Sequence, residues 1–199
     1  MKKAVLYIHG KGGNAEEAEH YKPICNEYDV FGLDYKADTP WETREEILVE
    51  YESLYEKYDS VLIIANSIGA YFAMNALSDK EIERAFFISP IVNMEKLITD
   101  MMLWANVTEQ ELQDKQEIET SFGETLSWKY LRYVRENPIV WNITTDILYA
   151  GNDNLTSYET MTTFAKETNS SLKIMENGEH WFHTEEQLAF LDHWLMSLI

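Results

Sequence analysis

Only one cysteine, Cys25, occurs in the 199 residues, so no internal disulfide can form. Positive charge is also scarce: 16 Lys and Arg stand against 35 Asp and Glu, a formal charge of −19. A nucleic acid or an anionic membrane surface would be repelled over most of such an exterior, which excludes both as partners. The same balance describes a heavily hydrated surface and mildly favours neutral or cationic substrates over strongly anionic ones. Prolines number four, and there is no Ser- or Gly-rich stretch, charge block or internal repeat to mark a linker, so one domain is expected over residues 1–199. Met1-Lys2-Lys3 runs directly into an apolar strand without a signal-peptide apolar stretch. With the lone cysteine, this predicts a reducing cytoplasm and no membrane insertion, where the sequons at Asn106, Asn142 and Asn154 carry no glycan. No cluster of His, Cys and carboxylates has the spacing of a metal site, and no cofactor is expected.

What the chain does have is core: hydrophobic residues make up 45% of it, enough to fill one globular interior. Apolar runs predict strands near residues 4–8, 29–34, 60–66, 84–89, 146–151 and 171–176, with helical patterns between most of them. Such alternation predicts a three-layer α/β/α sandwich: a mostly parallel sheet of about six strands with helices on both faces. Over 41–58, Ile47, Tyr51, Leu54, Tyr55 and Tyr58 recur at three- and four-residue steps among glutamates, the mark of a helix with one buried face. The segment 91–139 is too long for a simple crossover and predicts a helical insert. Met94, Leu97, Met101, Met102 and Trp104 mark one helix of it, and Trp128, Leu131, Tyr133 and Val134 another.

Chemistry concentrates at the strand exits. Leu62-Ile63-Ile64-Ala65-Asn66 breaks at Ser67 and resumes as the helical Ala70-Tyr71-Phe72-Ala73-Met74. A strand, a serine between small residues and a helix form a nucleophile elbow, whose tight turn needs a small residue two before the serine and a glycine two after it. Gly69 meets the second need; Ala65 stands where glycine is usual. A Ser-Gly turn of this kind also occurs in α/β proteins without any chemistry, so the neighbouring motifs decide. The strand Ala4–Ile8 leads into His9-Gly10-Lys11-Gly12-Gly13, a glycine loop able to bring backbone amides close to a ligand. It lacks both nucleotide-binding glycine spacings. Asp153 follows the strand near 146–151, and His180 follows the strand near 171–176.

Ser67, Asp153 and His180 thus occur in the chain order of α/β-hydrolases, and the chain resembles a small member of that superfamily over nearly its whole length. The resemblance rests on His9–Gly13, the variant elbow Ala65–Gly69, Gly151–Asp153 and Gly178–Phe182. It implies a shortened α/β-hydrolase fold with a lid-like insert at about 91–139, and a Ser-His-acid triad for acyl transfer to water. Ser67 is then the nucleophile, His180 its base and Asp153 the acid that orients the imidazole. The oxyanion would meet the backbone N–H of Ile68 and that of Lys11, with Gly12 as the alternative second donor. A small-molecule acyl substrate, a carboxylic ester above all, is the implied partner. Amide, thioester or carbon–carbon hydrolysis, or binding without turnover, are the alternatives on the same scaffold. His183 is the alternative base; His9 is read as shaping its loop, and His193 as structural. Asp34 and Asp38 follow the second strand, out of position for the acid.

Overall fold

The computed structural model describes residues 2–199. Its chain order is β1 (Lys3–Ile8), a 3₁₀ helix (Ala15–His20), β2 (Asp29–Gly32), α1 (Pro40–Tyr55), β3 (Ser60–Asn66), α2 (Ile68–Leu77) and β4 (Arg84–Ile88). There follow α3 (Met94–Trp104), α4 (Glu109–Lys115), β5 (Glu117–Glu119), β6 (Thr125–Ser127), α5 (Trp128–Glu136), β7 (Thr145–Ala150), α6 (Tyr158–Glu167), β8 (Ser171–Met175) and α7 (Glu185–Met196).

Two compact units result, Asn93–Ile139 and the remainder of the chain. In the larger unit six strands form one sheet in the order β2-β1-β3-β4-β7-β8. Every pairing is parallel, with Val5 opposite Val30 and Leu62, and Phe87 opposite Ala65 and Ile147. The expected mostly parallel six-stranded α/β/α sandwich is what the chain forms. Central strands of such a sheet are buried on both faces and therefore read as continuous apolar runs, as Ala4–Ile8 and Val61–Ala65 do. On one face Val5, Tyr7, Leu62, Ile64, Phe86, Ile88 and Leu148 pack with Ala18, Tyr21 and Cys25 and with Leu191, Trp194 and Leu195 of α7. Their alternates, including Leu6, Ile63, Phe87 and Ile147, project to the other face, on which α2 packs against β3 and α1 against α2. Along α1 the buried stripe is Ile47, Tyr51 and Leu54, whereas Tyr55 is exposed and the helix ends there, earlier than the sequence pattern suggests.

The chain runs from β1 outward to β2, then returns to the other side of β1 for β3. Strand order therefore reverses between β1 and β3. In open parallel sheets the crevice beyond the carboxyl ends at such a switch is the natural ligand site.

The smaller unit is not wholly helical as expected. Besides α3 and α5 it holds the short α4 and an antiparallel hairpin of β5 and β6. Met94, Leu97 and Met102 of the expected stripe are buried, but Trp104 is exposed and meets Phe122 edge to face. Arg135 of α5 holds it together from the surface, pairing with Glu95 and with both oxygens of Glu109. Among the described residues no helix is long and apolar enough to cross a membrane.

Candidate active site

The elbow forms where β3 ends and α2 begins. Ser67 takes φ 51°, ψ −120°, outside the regions that side chains favour. Three backbone bonds hold it there: Ser67 N–H donates to Ile88 O at 3.0 Å, and Ser67 O accepts from Ala70 N–H at 3.2 Å and Ile91 N–H at 3.0 Å. A backbone fixed this firmly can keep a conformation that costs on the order of 1–3 kcal/mol. Gly69 is required by close approach, since a β-carbon there would collide with the carbonyl oxygens of Ile8 and His9. Ala65 lies within β3, fully buried, and its methyl group does not prevent the turn.

Three side chains converge on this end of the sheet. His180 Nε2 lies 2.7 Å from Ser67 Oγ, and His180 Nδ1 lies 2.7 Å from Asp153 Oδ2. A carboxylate only accepts, so Nδ1 carries the proton and Nε2 is free to accept one from the serine hydroxyl. The Asp153 side chain is fully buried and that of His180 is 16% exposed. Asp153 Oδ1 accepts two further bonds, from Leu155 N–H at 2.7 Å and Thr156 N–H at 3.1 Å, which offset the cost of burying the carboxylate. The acid turn and the histidine loop are themselves joined, Asn152 N–H donating to Gly178 O at 2.9 Å and Gly178 N–H to Met175 O at 2.9 Å.

Above the adjacent strand, Gly13 N–H donates to Gly10 O at 3.1 Å and closes a turn over Lys11 and Gly12. Gly12 has φ +74°, the left-handed conformation a type II turn requires at its third position. A β-carbon on Gly10 would stand 3.2 Å from Ser67 Cβ, so this turn lies directly against the elbow. Ile68 is the first residue of α2, where an N–H has no partner within its helix and the helix dipole favours negative charge.

The other histidines and acids fall elsewhere. His183 Nδ1 donates to Trp181 O at 2.6 Å and its Nε2 faces Glu179 at 3.6 Å, so it is His180 that meets the serine. His9 is buried and stacked on Tyr35 with ring centroids 4.1 Å apart, while Tyr35 Oη donates to His9 O at 2.6 Å. It shapes its loop. His193 lies on α7, beside a groove along the outer strand β8. Asp34 is exposed near Lys36, and Asp38 is exposed as well.

No family model matches the sequence, and no curated protein is similar to it in sequence. Solved structures are similar in fold. The alpha/beta hydrolase domain-containing protein 10 from mouse superposes with a TM-score of 0.77 at 13% identity, covering 98% of this chain and 88% of that one. Est1E from Butyrivibrio proteoclasticus with ferulic acid bound gives 0.74 at 18% identity, over 99% of this chain and 87% of that one. An esterase from Pyrococcus furiosus gives 0.61 at 19% identity, over 99% and 80%. The chain has the α/β-hydrolase fold.

Proposed function

We propose that this protein is a serine hydrolase that cleaves a carboxylic ester of a small or medium acyl group. One observation carries the reading: hydroxyl, imidazole and buried carboxylate stand in one line of 2.7 Å contacts, with the serine on a strained elbow. A serine hydroxyl is a weak nucleophile until a base takes its proton as it attacks. In this reading His180 Nε2 accepts that proton while Ser67 Oγ bonds to the ester carbonyl carbon. Asp153 stabilises the resulting imidazolium through Nδ1–H and keeps the ring in register. The carbonyl oxygen, now carrying the negative charge, is met by Ile68 N–H and by a second N–H from the glycine loop, for which Lys11 is the choice and Gly12 the alternative. Collapse expels the alcohol, which leaves with the proton held by His180. Water then repeats the sequence in reverse: His180 takes its proton, hydroxide attacks the acyl carbon, and Ser67 Oγ departs with the proton as the acid is released. No cofactor enters, and the lone buried Cys25 accords with a reducing cytoplasm.

Esterases among the similar folds are in keeping with an ester substrate, and a thioesterase domain among them leaves a thioester as the alternative that the test must separate. The test is fluorophosphonate labelling together with hydrolysis of p-nitrophenyl esters of increasing chain length, beside matched amides and thioesters. Wild-type protein should take up one label and Ser67→Ala none. His180→Ala should lose on the order of a thousandfold or more in kcat, and His183→Ala less than about threefold. Absence of label from the wild type, or ester turnover negligible beside that of another class, would reject the proposal.

A further inference from the structure

A line of polar side chains runs beneath the glycine loop, from the residue before the nucleophile back to the loop itself. Asn66 closes β3, and its Nδ2–H donates to Tyr7 Oη at 3.0 Å. Tyr7 is fully buried on β1, and its hydroxyl donates to Glu17 Oε2 at 2.5 Å. Burial first, then Tyr21 and Glu17, push the Tyr7 phenol far above its usual range, so it remains a donor at any working pH. Glu17 Oε1 in turn accepts Asn14 N–H at 3.3 Å, and Asn14 Oδ1 accepts Glu16 N–H at 2.9 Å. The same carboxylate packs under the turn, where a β-carbon on Gly13 would stand 2.6 Å from Oε1. Gly13 leads back to Gly10, and Gly10 lies against Ser67. The contacts close a circuit through Ser67, Asn66, Tyr7, Glu17, Gly13 and Gly10.

Tyr149 and Tyr51 each end on a single backbone oxygen, of Thr156 and Glu81, while buried Tyr21 beside the line also bonds to the Asn66 side chain. Tyr7 instead ties two segments that the site requires at a fixed separation. The elbow fixes where the oxyanion forms, and the loop fixes where its second donor stands; neither alone sets the distance between them.

We propose that Asn66, Tyr7 and Glu17 are positioning residues that hold the glycine loop at the height above Ser67 that oxyanion stabilisation needs. The proposal rests on the serine-hydrolase reading above. Losing an oxyanion donor outright costs about a hundred- to thousandfold in kcat, and displacement by an ångström about a hundredfold, so a loosened loop should cost roughly ten- to a hundredfold.

The experiment uses Tyr7→Phe, Glu17→Ala, their double variant, Glu17→Gln and, as a control, Tyr51→Phe, which loses one buried hydroxyl bond far from the loop. Measured are kcat and KM on p-nitrophenyl acetate, Tm, and deuterium exchange of amides 10–14. Tyr7→Phe and Glu17→Ala should each lower kcat about ten- to a hundredfold with KM within about twofold, and should speed loop exchange about tenfold or more. The double variant should fall no further than the worse single one, since both cut the same line. Glu17→Gln keeps an oxygen that accepts from Tyr7 and should recover most of the kcat lost in Glu17→Ala. Tyr51→Phe should lower Tm and leave kcat unchanged. Glu17 is at the surface, so Glu17→Ala decides the matter even where Tyr7→Phe fails to fold. Unmoved kcat or unmoved loop exchange in Glu17→Ala, beside normal wild-type turnover, overturns the positioning role alone. Wild-type protein that neither turns over nor labels defeats the hydrolase reading first, and the catalytic role of the line with it.

Discussion

One buried aspartate stands near the amino end of β7 and another just past its carboxyl end, and they differ in their partners. At the amino end the side chain of Asp146 is 5% exposed, with Arg84 Nε at 2.5 Å and Ser171 Oγ bonded to its other oxygen. Arg84 also donates to Leu198 O at 3.1 Å, so one carboxylate gathers β4, β7, β8 and the segment after α7. Past the carboxyl end Asp153 is buried as completely, but its partners are an imidazole and two loop amides. A guanidinium keeps its charge at every working pH, and a bond to it can only hold. An imidazole can both accept and release a proton, so a bond to it can orient a base. On the proposed function, similar burial of the same acid makes a clamp in one place and an aid to the base in the other, according to the residue opposite.

Substitution at the two aspartates should separate these roles most widely. Asp153→Asn presents an amide to His180 Nδ1 and favours the wrong tautomer, so kcat on a p-nitrophenyl ester should fall about 10³- to 10⁴-fold. Its Tm should move by only a few degrees, because the loop amides still find an oxygen. Asp146→Ala should do the converse. It strands Arg84, and because that side chain is about a third exposed the cost should sit at or below the low end for a buried pair, on the order of 2–3 kcal/mol. For a chain of this length that lowers Tm by roughly 5–10 °C, while kcat per folded molecule stays within about twofold. Loss of turnover in Asp146→Ala at unchanged Tm would erase the distinction.

The carboxyl end was far more legible in the sequence than the clamp. Ser67, Asp153 and His180 each follow an apolar run, so locating the strands locates them, and chain order then orders them. Arg84 and Asp146 sit at strand beginnings, where a charged residue reads as a boundary and only the pairing of β4 with β7 reveals the partner. The line from Asn66 through Tyr7 to Glu17 was hidden for a similar reason: Tyr7 reads as one more apolar strand residue, and its two partners stand 59 and 10 positions away. β5 and β6 span three residues each, too few for an alternation to register. At the elbow, Ala65 stands where glycine is usual and the turn still forms, because Gly69 is the position pressed against neighbouring backbone. Ala65→Gly should therefore bring no gain in kcat, and should cost about 0.5–1 kcal/mol for a glycine inside a strand. A rise in kcat beyond about threefold would show that the methyl group obstructs the site.

The two ends also differ in how they carry left-handed backbone, which offers the smallest and most delicate test. Toward the amino end Asn169 has φ 51° in the turn between α6 and β8, and asparagine tolerates that conformation. At the carboxyl end, besides Gly12 of the glycine loop, two serines take positive φ, Ser67 at 51° and Ser89 at 42°. Ser89 is buried, its Oγ has no hydrogen-bond partner, and its N–H donates to Leu148 O at 2.8 Å. Ile88 and Ile91, which flank Ser89 and Pro90, supply two of the three backbone bonds to Ser67. A non-glycine residue pays about 1–2 kcal/mol in this region, and glycine gives back about 0.5–1 kcal/mol through its freer unfolded chain. Deleting a buried hydroxyl without a partner removes a further desolvation cost. Ser89→Gly should therefore stabilise the protein by about 1 kcal/mol, a rise in Tm of roughly 2–4 °C. If the Ser89 turn serves only to hold the elbow, kcat should stay within about threefold, because glycine adopts the same φ and keeps the same N–H. A stabilised variant with kcat lowered tenfold or more would mean that the strain at residue 89 itself keeps Ser67 in place, so that stability and turnover oppose each other at this end of the sheet but not at the other.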